Sequence, residues 1–102
     1  MTVGILGLGL IGGSLARAYA KAGHTVYACE RDADMLAFAQ LAGAVHRELT
    51  PETIAACDLV LLAIYPAGSA AWLEAHAQLV RSDALVIDCC PILFFAVLGF
   101  FW

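Results

Sequence analysis

Five short apolar runs separated by helix-prone segments set the pattern of this chain. The first occupies residues 3–6 and is broken at once by glycines. A second lies at 24–29, a weak third at 45–47, the strongest at 58–64 and a fifth at 84–88. Continuous apolar runs of this length mark strands buried on both faces of a parallel sheet, since a half-exposed strand would alternate. The intervening residues favour helix. Residues 14–22 are rich in Ala, Leu and Arg and stop at Gly23, and Asp32 or Asp34 can cap a helix through Ala42 that stops at Gly43. Thr50-Pro51 reads as an N-cap followed by proline at the first helical position, which predicts a short helix over 52–57. Residues 65–68 read as a loop and 69–81 as a helix. This alternation predicts an α/β fold, a doubly wound parallel sheet of about five strands with right-handed crossovers.

The junction of the first run and the first helix carries a motif. Gly7-Leu8-Gly9-Leu10-Ile11-Gly12 has the G-x-G-x-x-G spacing between a strand and a helix that begins near Leu10. In a Rossmann-type sheet the first glycine makes the tight turn and the second lets the backbone approach a pyrophosphate. The third lets the helix lie against the strand, and the helix N-terminus faces the phosphates. A glycine-rich turn that binds nothing would share the spacing, but the second run ends in Glu30. That acid lies 18 positions past Gly12, close to the interval of roughly 20 at which a ribose-binding acid is expected. A nucleotide would then lie across the carboxyl ends of the first and fourth strands, where the strand order reverses.

Composition sharpens this picture. Of the 102 residues 63% are hydrophobic and 14% charged, an apolar excess that fits a sheet covered on both faces. The net charge of −4 offers no basic patch for nucleic acid. The apolar N-terminus lacks the basic region of a signal peptide, because no Lys or Arg precedes Arg17. The apolar tail, residues 92–102, is too short to span a bilayer, so a cytoplasmic chain with no membrane span is expected. Cys29, Cys57, Cys89 and Cys90 show no metal-ligand spacing and read as buried filler beside strands.

The expected cofactor site comprises Gly7, Leu8, Gly9, Leu10, Ile11, Gly12, Glu30, Arg31, Ala63 and Tyr65. Glu30 should accept from ribose hydroxyls and repel a 2′-phosphate, which favours NAD, while Arg31 beside it could pair with that phosphate and keeps NADP open. Tyr65-Pro66 should wall the nicotinamide side. His24, His46 and His76 are all expected away from the carboxyl rim, so no catalytic residue and no metal site is assigned.

The run Gly7-Leu8-Gly9-Leu10-Ile11-Gly12-Gly13-Ser14-Leu15-Ala16, with Asp58 to Pro66 and Leu85-Val86-Ile87-Asp88, resembles the prephenate and arogenate dehydrogenases of tyrosine biosynthesis over residues 1–90. The resemblance implies an N-terminal nicotinamide-binding domain and oxidative decarboxylation of prephenate or arogenate by hydride transfer to NAD(P)+. It implies a helical dimerisation domain as well, which this sequence lacks. The departure begins at Pro91, where the family continues to a Lys and then to a His-Pro motif with the catalytic histidine. Here an apolar tail follows, residues 91–102, with five aromatics among its last nine residues and nothing charged after Asp88. The tail reads as the product of a truncated or frame-shifted coding sequence, or else as a segment that buries against a partner. Self-association, poor solubility and no turnover by this chain alone are expected. Two other readings stay open, a non-catalytic NAD-binding or regulatory module and an S-adenosylmethionine methyltransferase domain. Gly12-Gly13-Ser14 after the loop speaks against the second.

Overall fold

The computed structural model describes residues 1–89. Strands β1 (Thr2–Leu6), β2 (Thr25–Cys29), β3 (Arg47–Glu48), β4 (Leu59–Leu62) and β5 (Leu85–Asp88) form one sheet in the order β3-β2-β1-β4-β5. Every neighbouring pair is parallel. Helices α1 (Leu10–Lys21), α2 (Ala33–Leu41) and α3 (Pro66–His76) connect them, with short 3-10 turns at Ile54–Ala56 and Ala77–Leu79. This is the doubly wound Rossmann-type sheet that the alternation predicts. The apolar tail at 91–102, and Cys90 before it, lie outside the described residues.

Strand pleating sorts the apolar side chains into two layers. Val3, Ile5, Val26, Ala28, Leu59 and Leu61 pack with Ala16, Ile11 and Leu15 of α1 and Leu36 and Ala39 of α2. Leu6, Tyr27, Val60 and Leu62 point the other way, onto Ile54 and Cys57 and onto Trp72 and Leu73 of α3. Each strand between β2 and β4 is thus buried on both faces, which is why its sequence is continuously apolar.

Both early helices end as their glycines predict. Gly23 takes φ +92° and Gly43 φ +80°. His24 N–H returns to the Tyr19 carbonyl and Ala44 N–H to that of Ala39, so both are Schellman caps. Asp32 caps α2 by accepting from the N–H groups of Asp34 (3.0 Å) and Met35 (3.2 Å).

Three local expectations are corrected. The third strand lies at Arg47–Glu48 and not at 45–47, because Val45 turns into the core and the His46 ring replaces a ladder carbonyl. Its Nδ1 accepts from Val26 N–H at 2.9 Å. The helix expected over 52–57 is only the 3-10 turn Ile54–Ala56, and Thr50 is no N-cap. Instead Thr53 Oγ1 accepts from Thr50 N–H at 2.8 Å, closing a turn around Pro51. Finally α3 begins at Pro66 and not at 69, with proline in the first turn where its missing N–H costs nothing. It also ends earlier, at His76.

At the amino end of the sheet, Asp58 joins three segments. Its carboxylate accepts from Thr2 N–H (2.8 Å) and from Arg81 Nη2 (2.7 Å), and Arg81 Nε donates to Asp83 (2.6 Å). The Thr2 N–H, and then Arg81, hold the Asp58 carboxyl below the usual carboxylate range, and Arg81 does the same for Asp83. Groups depressed on folding stabilise the fold above their unfolded pKa, and that contribution is lost as pH falls through the folded value. Stability should therefore be level near neutrality and decline below about pH 4. Urea midpoints measured across this range should decline less steeply in Asp58→Asn; an unchanged acid limb would show that Asp58 does not govern it.

Candidate functional site

The site begins with the turn that ends β1. Gly7 has φ +93°, a left-handed conformation that side chains disfavour. Its N–H donates to the Cys29 carbonyl (2.8 Å), and Ala63 N–H donates to the Leu6 carbonyl (2.9 Å), so the turn is fixed between the ends of β2 and β4. Gly12 packs so closely beneath it that a Cβ would run into the Gly7 carbonyl oxygen. Gly9 is the opposite case, since a Cβ there would meet nothing within 4 Å. One glycine is needed for an internal contact, and another leaves room for something outside the chain.

The space in front of Gly9 belongs to a cavity of about 820 Å³, inside the range usual for small-molecule sites. Gly7, Gly9, Leu10 and Ile11 border it from the turn, Cys29, Glu30 and Arg31 from the end of β2, and Ala63, Ile64 and Tyr65 from the end of β4. The first turns of α3 add Gly68, Ala71 and Trp72. Of the ten residues expected at the cofactor, eight border this cavity. Leu8 and Gly12 do not; Leu8 is 6% exposed in the core, and both shape the loop from beneath.

Glu30 is where the chemistry is most defined. Its Oε1 accepts from Leu8 N–H at 2.8 Å and its Oε2 from Asp32 N–H at 2.9 Å. The acid at the end of β2 therefore holds the glycine loop in place. An ionised carboxylate has about four lone-pair positions, so each oxygen keeps capacity for a ligand hydroxyl. At the start of α1, no described side chain caps the helix and its first turn contains no acid. Its leading N–H groups and positive dipole end are left for an anion.

Sequence reasoning missed Leu6, Cys29, Gly68, Ala71 and Trp72 as wall residues. A helix starting at 69 leaves Gly68 outside it, and so hides the face that Gly68 shares with Ala71 and Trp72. The three described thiols are free. Burial raises the Cys29 thiol, helped by Glu48 and Glu30, so it remains protonated as part of an apolar wall. Burial likewise pushes Cys57 up to about 11. No histidine borders the cavity: His24 Nδ1 pairs with the N-terminal amine (2.9 Å), His46 with Val26, and His76 with the Trp72 carbonyl. No group of residues among those described could hold a metal ion. Nor is any helix among them long and apolar enough to cross a membrane.

A parallel sheet with its strand order reversing between β1 and β4, a glycine turn at that point and an acid ending β2 define a dinucleotide-binding domain of the NAD(P)-dependent oxidoreductase type. Residues 2–91 match the family described as NADP oxidoreductase, coenzyme F420-dependent, and the chain belongs to that family. Arogenate dehydrogenase from Synechocystis is similar in structure, with TM-score 0.79 and 25% identity over 86% of this chain and 32% of that one. 3-Hydroxyisobutyrate dehydrogenase from Mycobacterium tuberculosis gives TM-score 0.74 and 26% identity over 85% of this chain and 30% of that one. Prephenate dehydrogenase from A. aeolicus, solved with hydroxyphenyl propionate and NAD+, gives 0.75 over 86% and 32%, and at 20% identity it shows the shared fold alone. This chain thus spans about a third of the length of these structures. No curated protein sequence matches it.

Proposed function

We propose that residues 1–90 form the nicotinamide-dinucleotide-binding part of a prephenate- or arogenate-dehydrogenase-like oxidoreductase, with NAD preferred to NADP. The observation that carries this reading is the pairing of the open Gly9 position with Glu30 across one cavity. The glycine turn and the start of α1 would take the pyrophosphate, and Glu30 the adenosine ribose. Ala63 and Tyr65 would border the nicotinamide end. A bound nicotinamide ring supplies the hydride acceptor for oxidation of a substrate. The residues of this chain contribute binding, orientation and an apolar wall that excludes water.

The preference for NAD follows from how Glu30 is held. A 2′-phosphate beside its carboxylate is repelled, and rotating the side chain away would break the bonds to Leu8 and Asp32. Arg31 offsets part of that repulsion, so discrimination by a factor of about ten is expected, equivalent to roughly 1.4 kcal/mol. Equilibrium titration of the 102-residue chain with NADH, NADPH and S-adenosylmethionine tests the reading. NADH should bind best and S-adenosylmethionine should not compete. Binding of S-adenosylmethionine alone would overturn the assignment, and NADPH binding tighter than NADH would reverse the cofactor choice. Incubation with prephenate and NAD+ should produce no NADH, because none of His24, His46 and His76 borders the cavity.

A further inference from the structure

Trp72 is the largest side chain on the α3 wall of the cavity, and the glycine-motif reading does not account for it. Gly68 and Ala71 beside it are small, so the indole dominates that surface. Its ring stacks on His76 with centroids 4.8 Å apart and planes at 21°. His76 Nδ1 lies 2.8 Å from the Trp72 carbonyl, which can only accept, so that nitrogen carries the proton. The imidazole is thereby tied to the helix backbone and braces one side of the indole, limiting its rotation. On the far side of β1 the cavity is bordered by Glu30 and Arg31. Glu30, Arg31, Gly9 and Trp72 border the same cavity, so a base carried on a ribose held by Glu30 would have the Arg31 side chain and the α3 wall as its flanking surfaces.

We propose that Trp72, braced by His76, is the stacking surface for the adenine base. This rests on the dinucleotide reading above and assigns one end of the ligand to one side chain. A purine offers a flat π face, and an indole whose position is already fixed gives up little freedom on stacking. Adenine would be recognised mainly by shape and stacking, with Arg31 free to cover its other face.

The test uses the full chain carrying Trp102→Phe, so that fluorescence reports Trp72 alone. AMP and NAD+ should change the emission and nicotinamide mononucleotide should not. Trp72→Leu should weaken AMP and NAD+ about tenfold each, in line with base–aromatic stacking, and leave nicotinamide mononucleotide unchanged. Trp72→Phe should stay within about threefold of the parent on the same stacking argument. Should the leucine variant fail to fold, nuclear Overhauser contacts from the Trp72 indole to adenine H2 and H8 in the NAD+ complex decide instead. NAD+ binding with no loss in Trp72→Leu, or with indole contacts only to nicotinamide protons, overturns this assignment and leaves the dinucleotide reading standing. A chain that binds no adenine nucleotide removes both.

Discussion

Gly12→Ala should cost the fold about 3 kcal/mol and remove dinucleotide binding. The added methyl group has nowhere to go. It would run into the Gly7 carbonyl oxygen, a backbone atom in a turn held by the Gly7 bond to Cys29 and the adjoining Ala63 bond to Leu6. Relief requires α1 to lift from β1, which also withdraws its N-terminal N–H groups from the cavity. Gly9→Ala makes the contrasting case. Its φ of −67° suits alanine and its Cβ would meet no atom of the chain within 4 Å. Loss of the glycine N-cap should cost under about 1 kcal/mol, while the methyl group should occupy the open space that the proposed pyrophosphate site needs. Urea denaturation and NADH titration of both variants should therefore separate: Gly12→Ala loses stability and binding, Gly9→Ala mainly binding. If Gly12→Ala unfolds at the wild-type urea concentration, the close contact with the Gly7 carbonyl does not constrain the fold.

The second large effect is expected at Glu30. Glu30→Gln keeps the side-chain size, but its amide NH2 cannot accept from a backbone N–H. One of the two bonds to Leu8 and Asp32 must be lost, and the survivor is no longer assisted by charge. Bonds to a charged partner are worth roughly 1.5–3 kcal/mol, and partial exposure places this site toward the lower value. NADH affinity should fall about thirtyfold, since the loop loosens and the ribose loses its acceptor. NADPH should suffer far less, because the repulsion of its 2′-phosphate disappears and Arg31 remains. The ratio of the two affinities is the informative quantity. A ratio unchanged from wild type would show that Glu30 does not face the ribose.

Much of this was legible in the sequence because backbone requirements leave few choices. Gly7 and Gly12 occupy positions that a side chain would strain or block, and the run at 59–64 can be continuously apolar only where both faces are covered. The misreadings came where side chains substitute for backbone. The His46 ring takes a hydrogen bond that would otherwise mark a ladder position, and Thr53 rather than Thr50 supplies the turn oxygen. Pro66 reads as part of a loop although it suits the first turn of a helix, and that shift hides the face Gly68 shares with Trp72. Spacing along the chain points only to a ligand-facing role for Glu30. Its hold on Leu8 N–H depends on the folded path of the glycine loop, which spacing along the chain cannot reveal.

The central claim is that the dinucleotide lies at the carboxyl edge of the sheet, between the glycine turn and α3. The most direct measurement is an amide chemical-shift titration of the ¹⁵N-labelled chain with NAD+. Resonances of Gly9, Leu10, Ile11, Glu30, Arg31 and Gly68 should move together and saturate at one affinity. Those of Thr2, His24, Asp58 and Arg81, at the amino end of the sheet, should stay in place. Shifts concentrated at that amino end, or none at all at saturating NAD+, would contradict the account.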